Sequence, residues 1–118
     1  MNVLIFGRKA IVTKLSSTLH TPEVEIVDIS HGVNGLEATD QCENAKIALL
    51  DGSLKDLDRT FHYIEESLGI PTMLIVDGGQ TDWQRFESLD PVGYLSDMAP
   101  NIELLAQLRA VVGCVYSG

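Results

Sequence analysis

Five short apolar runs, separated by segments of helical periodicity, constrain the fold of this chain more than any other feature. The runs lie at Asn2–Phe6, Val24–Ile29, Ala45–Leu50, Thr72–Val76 and Val92–Ser96. Their lengths are those of strands, and most of them lack the alternation of a strand with one wet face. Short buried strands that alternate with helices predict a parallel sheet covered by helices on both faces.

The segments after these runs carry apolar residues at spacings of three and four, which is the pattern of an amphipathic helix. The first predicted helix has such a face at Ile11, Val12, Leu15 and Leu19. The others have theirs at Leu54, Leu57, Phe61, Ile64 and Leu68, at Trp83 and Phe86, and at Leu104, Leu105, Leu108, Val111 and Val112. Gly69 and Pro71 predict the end of one helix, and Leu36–Ala45 is expected to form a short polar helix.

Five such units predict a flavodoxin-like (βα)5 three-layer sandwich with parallel strand order 2-1-3-4-5. The chain has 118 residues, which fits one domain. We assign that domain to residues 1–113 and expect 114–118 to be a tail or the start of a linker to an output domain.

The net charge of -9, from 8 basic and 17 acidic residues, argues against binding to nucleic acid or to an anionic membrane. Cys42 and Cys114 form no metal-type or disulfide pattern. The chain starts on an apolar strand without a signal segment, and no apolar run approaches the ~18 residues of a membrane span. We therefore expect a cytoplasmic protein that needs no metal or other cofactor.

Charged residues follow the predicted strands at the edge where ligands bind in such sheets. Gly7, Arg8 and Lys9 follow the first strand, whereas the last three strands end at or beside Asp51, Asp77 and Asp97. Function is therefore expected to gather at this edge.

Two segments resemble the receiver domain of response regulators in two-component systems. "AKIALLD" is similar to the third strand of that family, whose last residue accepts the phosphoryl group, and here that residue is Asp51. "VGYLSDMAPNIELLAQLRAVV" is similar to the fifth strand and last helix, with the family's Gly-Tyr-Leu at Gly93, Tyr94 and Leu95. The resemblance covers essentially the whole chain and implies a signalling module without enzymatic activity.

The chain departs from the receiver pattern around Asp51. Gly7 and Arg8 stand where a receiver has the acidic pair that holds Mg²⁺. Val76 or Asp77 stands in place of the phosphate-binding Thr or Ser, and Asp97 in place of the Lys. Asp51 is therefore predicted to be a vestigial phospho-acceptor in an atypical receiver, because phosphoryl transfer to it needs positive charge nearby.

Three interpretations of the charged edge are open. Arg8 could replace the metal by forming a bidentate pair with Asp51. Alternatively, Asp51, Asp77 and Asp97 could bind a displaced divalent cation. The plainest interpretation is that each aspartate caps a loop or a helix start.

The resemblance also implies a partner surface, made in receivers by the fourth helix, fifth strand and fifth helix. On this surface we expect Trp83, Phe86, Met98, Ile102, Leu105 and Arg109. Tyr94 matches the family's switch aromatic, although a half-buried strand tyrosine is an equal alternative. We expect this surface to bind a protein partner or a second copy of the chain in a homodimer, and we expect a transcription-type output. The alternatives are a conventional phospho-accepting receiver and a small-molecule or nucleotide-binding domain.

Overall fold

The structure is a computed structural model that describes residues 2–19, 25–28, 45–76, 83–96 and 98–116. The strands in this part of the chain are β1 (Asn2–Phe6), β2 (Glu25–Asp28), β3 (Ala45–Asp51), β4 (Thr72–Val76) and β5 (Gly93–Ser96). Its helices are α1 (Lys9–Leu19), α2 (Leu57–His62), α3 (Trp83–Leu89) and α4 (Asn101–Tyr116), and a π-helical turn at Tyr63–Ser67 follows α2.

The strands form one sheet in the order β2-β1-β3-β4-β5, and each neighbouring pair is parallel. The predicted flavodoxin-like fold and strand order are confirmed. The register pairs Phe6 of β1 with Leu50 of β3. Because β1 and β3 end side by side, the residues that follow Phe6 lie next to Asp51.

Apolar side chains cover both faces of the sheet, as the nearly continuous apolar runs predict. On one face, α2 and α3 pack against alternate strand residues, among them Leu4, Leu50 and Leu74. On the other face, α1 and α4 pack against the residues between these, such as Ile5 and Leu49. The predicted inward face of α1 is confirmed, since the four residues predicted for that face are all buried.

The helix after β3 begins later than its apolar stripe predicts and ends in a wider turn. The Leu54 N–H donates to the Asp51 carbonyl over 3.3 Å, so Leu54 belongs to the turn after β3 and not to α2. Beyond Tyr63 the Leu68 N–H donates to the Tyr63 carbonyl, five residues back. Gly69 then adopts a φ of 67°, which explains why glycine ends this segment.

Three other predicted boundaries compare as follows. β2 is Glu25–Asp28, while Val24 and Ile29, the two ends of the predicted run, lie outside the described residues. The predicted helix Leu36–Ala45 lies outside the described residues except for Ala45, the first residue of β3. α4 continues to Tyr116, past the predicted boundary at residue 113, because a single helical glycine costs only about 1 kcal/mol. No helix in the described part of the chain is long and apolar enough to cross a membrane.

Truncating Leu108 tests the packing of α4. Leu108 is fully buried against the sheet, so Leu108→Ala should lower the free energy of unfolding by about 3 kcal/mol. The neighbouring Gln107 is exposed, and Gln107→Ala should change it by less than about 0.5 kcal/mol. Urea unfolding of both variants makes the measurement, and equal effects would contradict the described orientation of α4.

Candidate functional site

Asp51, the last residue of β3, is a buried carboxylate with four hydrogen-bond donors around it. Its side chain is 1% exposed. Oδ2 accepts the backbone N–H of Arg8 over 3.1 Å and the Nε–H of the same residue over 2.8 Å. Oδ1 accepts the backbone N–H of Ser53 over 3.0 Å and its hydroxyl over 2.8 Å. A carboxylate offers about four acceptor positions, so these four donors fill it.

The contact between Arg8 and Asp51 joins the ends of two neighbouring strands, β1 and β3. Arg8 directly precedes α1, and its side chain is 51% exposed, so the guanidinium covers the carboxylate from the solvent side. The sequence-based hypothesis of an Arg8–Asp51 pair agrees with this geometry. The contact differs from the bidentate pair of that hypothesis, because the backbone N–H and the Nε–H of Arg8 both donate to a single oxygen, Oδ2.

The second partner, Ser53, was missed in the sequence analysis. The Ser53 N–H bonds the side chain of Asp51 two residues earlier, and the Leu54 N–H bonds the Asp51 carbonyl. An aspartate that binds a backbone N–H two residues on is an Asx-turn, a common role of Asp directly after a strand. The signal was therefore present as Asp-Gly-Ser at the end of β3, and Ser53 adds a hydroxyl to that turn.

The pKa of Asp51 lies below its ordinary value of 3.8. Burial is the largest single influence and by itself raises the pKa, because it disfavours the charged form. Hydrogen bonds from the Arg8 side chain, from the two backbone N–H groups and from the Ser53 hydroxyl together outweigh burial. Asp51 is therefore ionised at neutral pH, and the stability that depends on this charge is lost as the pH falls through its lowered pKa.

Two glycines let the backbone pack closely around this carboxylate. A Cβ on Gly7 would overlap the Asp51 Cβ, which leaves no room for a side chain in this backbone arrangement. A Cβ on Gly52 would lie 2.7 Å from the Phe86 Cζ and 3.0 Å from the Ile75 carbonyl. The acidic pair of a receiver therefore has no space at Gly7, and Arg8 brings positive charge where the metal would need a ligand.

These residues do not fit the Mg²⁺ site that a receiver needs. A hard cation requires free oxygen ligands, and both oxygens of Asp51 already accept hydrogen bonds. The residues described in the structure contain no group of three His, Cys, Asp or Glu side chains that could hold a metal ion. Asp77 and Asp97, which the displaced-cation hypothesis requires, lie outside the described residues.

Phe86, predicted for the partner surface, is instead part of the core. Phe86 and Leu89, three apart on α3, both turn toward the sheet and are buried. The Phe86 ring lies over Gly52, and its centroid is 6.4 Å from that of the half-buried Tyr94. The prediction for Phe86 was wrong because that face of the short helix is needed to cover the sheet.

The remaining predicted surface residues lie around the start of α4. Met98 is 76% exposed and Ile102 is 81% exposed, while Leu105 is half-buried and Arg109 is exposed. Trp83 begins α3, but its side chain lies outside what the structure describes. Burial raises the pKa of Tyr94, and the charges of Glu87 and Asp90 raise it further.

A pair of double-mutant cycles tests how much burial strengthens the Arg8–Asp51 contact. Arg8→Met with Asp51→Asn should give a coupling energy of about 2 kcal/mol, because the carboxylate has little access to water. Arg85 and Asp58 form a matched control, since their Nε–Oδ1 distance is 2.9 Å but Asp58 is 60% exposed. That cycle should give about 0.5 kcal/mol. Equal coupling energies in urea unfolding would contradict the argument from burial.

Adding a methyl group at Gly7 tests the close approach of the two strand ends. Gly7→Ala should lower the free energy of unfolding by about 2 kcal/mol, because the new Cβ overlaps the Asp51 side chain. Gly113→Ala is the control, since no atom lies within 4 Å of a Cβ there and the residue is helical. That variant should be more stable by about 1 kcal/mol, the cost of a glycine within a helix. Thermal unfolding measures both, and a neutral Gly7→Ala would rule out the described contact.

The fold matches many solved structures, whereas no protein-family model and no curated protein matches the chain. The receiver domain of a modulated diguanylate cyclase from Desulfovibrio desulfuricans is 21% identical with a TM-score of 0.75, covering 96% of this chain and 94% of that one. The N-terminal domain of a response regulator/sensory box/GGDEF protein from Carboxydothermus hydrogenoformans is 15% identical with a TM-score of 0.80, covering 99% and 98%.

A third similar structure is RcsB from Salmonella enterica, bound to promoter DNA in the presence of a phosphomimetic beryllium fluoride. It is 18% identical with a TM-score of 0.73, covering 93% of this chain and 67% of that one. At such identities the likeness concerns the fold. This chain therefore has the parallel α/β fold of receiver domains.

Proposed function

We propose that this chain is a non-enzymatic signalling module of receiver type that acts without phosphorylation of Asp51. The observation that carries the proposal is the set of four hydrogen bonds to the Asp51 carboxylate. In this interpretation Asp51 keeps the structural role of a receiver's phospho-acceptor but no longer accepts a phosphoryl group.

Phosphoryl transfer to Asp51 would require one of its oxygens to attack a phosphorus atom while a cation neutralises the charge of the transition state. An attacking oxygen needs a lone pair directed at the phosphorus atom. The hydrogen bonds from Arg8 and Ser53 already occupy the lone pairs of both Asp51 oxygens. The positive charge of Arg8 is engaged with the unmodified carboxylate.

A module without this switch needs another way to act, and we infer that it acts through protein contact. Met98 and Ile102, four residues apart around the start of α4, expose large apolar side chains. We propose that they form the centre of a homodimer contact, with Leu105 and Arg109 beside them. By analogy with the promoter-bound RcsB, we propose a cytoplasmic role in transcription control in which a different domain binds the DNA.

Beryllofluoride, an analogue of the phosphoryl group, tests the proposal about Asp51. With MgCl₂ and beryllofluoride, or with acetyl phosphate, we expect no chemical-shift change at Asp51 and Ser53 and no gain in mass. A conventional receiver domain under the same conditions is the positive control. A change centred on Asp51 would support the alternative of a conventional phospho-accepting receiver. A change produced by an added nucleotide alone would support a ligand-binding domain.

Light scattering coupled to gel filtration tests the proposed dimer. The chain should elute as a dimer at tens of micromolar, and Ile102→Glu should shift it to monomer because a charge would enter the apolar contact. Gln107→Glu adds the same charge at an exposed polar position of the same helix and should leave the dimer intact. A monomeric parent chain at these concentrations would refute the proposed dimer.

A further inference from the structure

The turn after β3 presents a second oxygen nucleophile beside Asp51. Ser53 is exposed, and its hydroxyl donates to Asp51 Oδ1 over 2.8 Å. Asp51 itself is 1% exposed and accepts two hydrogen bonds on each oxygen. Of these two side chains, Ser53 is therefore the one that a bulky phosphoryl donor reaches from solvent.

We propose that Ser53 is a phosphorylation site for a serine kinase and that its modification moves Arg8 from the Asp51 carboxylate to the new phosphate. The inference rests on the proposed function in one respect only, that Asp51 remains an unmodified carboxylate.

The transfer uses a nucleoside triphosphate held by the kinase. Oγ of Ser53 attacks the γ-phosphorus, a new O–P bond forms, and the bond from that phosphorus to the bridging oxygen breaks. The nucleoside diphosphate leaves with the electron pair of that bond. The hydroxyl proton passes to the kinase's catalytic base, and Asp51 stays ionised.

The product changes the balance of charge around Asp51. A phosphorylated Ser53 no longer donates its hydroxyl to Oδ1, and it carries a charge of about -1.5 to -2 at pH 7. It therefore removes one hydrogen bond from a buried carboxylate and places like charge beside it. Asp51 and the phosphate then compete for the same nearby cation.

Arg8 is placed to take the new partner. Its Nε–H binds Oδ2 of the carboxylate whose Oδ1 accepts the Ser53 hydroxyl, so Arg8 and Ser53 bind the two oxygens of one carboxylate group. Half of the Arg8 side chain is exposed, so the guanidinium can rotate without crossing the core. Arginine and phosphate form strong charge-assisted pairs, which favours the exchange.

The residues after Ser53 indicate a suitable probe enzyme. Asp56, three residues further on, is exposed and has no side-chain hydrogen bond to the start of α2. A kinase whose substrate groove is basic would bind this segment through Asp56. We therefore choose an acidophilic serine kinase with MgATP as the probe.

The first experiment treats the full chain with this kinase and maps phosphate by mass spectrometry. We expect phosphoserine at Ser53 that is stable to hydroxylamine, absent in Ser53→Ala and retained in Ser88→Ala. Ser88 is the matched control because it is exposed but its hydroxyl donates to a backbone carbonyl, that of Arg85. An unmodified Ser53 overturns this inference. A hydroxylamine-labile phosphate on Asp51 instead overturns the proposed function.

The second experiment asks whether Arg8 changes partner. In the phosphorylated chain the NMR signal of the Arg8 Nε–H should shift. Hydrogen exchange at the Ser53 backbone N–H should accelerate by roughly tenfold, because the charge-assisted hydrogen bond from this N–H to Asp51 Oδ1 weakens. A chain carrying phosphoserine at position 88 should keep both values. An unchanged Arg8 signal in the chain phosphorylated at Ser53 overturns the proposed exchange.

Discussion

The buried charge of Asp51 is the constraint around which the edge of this sheet is organised. An ionised carboxylate with 1% exposure is costly unless donors surround it, and the chain supplies them from two sides. Arg8 comes from the end of β1 and Ser53 from the turn after β3, so the carboxylate joins two segments far apart in sequence. Gly7 permits this approach because it has no Cβ.

The turn after β3 also connects the carboxylate to the layer formed by α2 and α3. Gly52 donates its N–H to the Ile75 carbonyl over 2.9 Å and has the Phe86 ring directly above it. The Phe86 ring lies beside the ring of Tyr94 in the same apolar cluster. Arg85, the residue before Phe86, pairs with Asp58 of α2 at the exposed edge of that layer. The packing of α3 thus depends on a turn whose shape Asp51 determines.

The sequence predicted the sheet well because buried parallel strands are written as continuous apolar runs, such as that of β3. The contact between Arg8 and Asp51 was one of three open interpretations, and the strand order made it possible because β1 and β3 are neighbours. Ser53 was missed because local side-chain bonds to a turn leave no periodic pattern. Phe86 was placed wrongly because an aromatic on a short helix fits either the core or a surface contact, and only packing decides between them.

The π-helical turn Tyr63–Ser67 affects the direction of the chain between α2 and β4. Phe61 and Ile64 fix the incoming helix in the core, and Gly69 fixes the exit toward β4. Each residue of an α-helix rotates the chain by about 100°, so one extra residue within the turn alters the direction in which the chain leaves. The wider turn therefore acts as a spacer between two anchored points. β4 then enters the sheet between β3 and β5, with every one of its five residues buried.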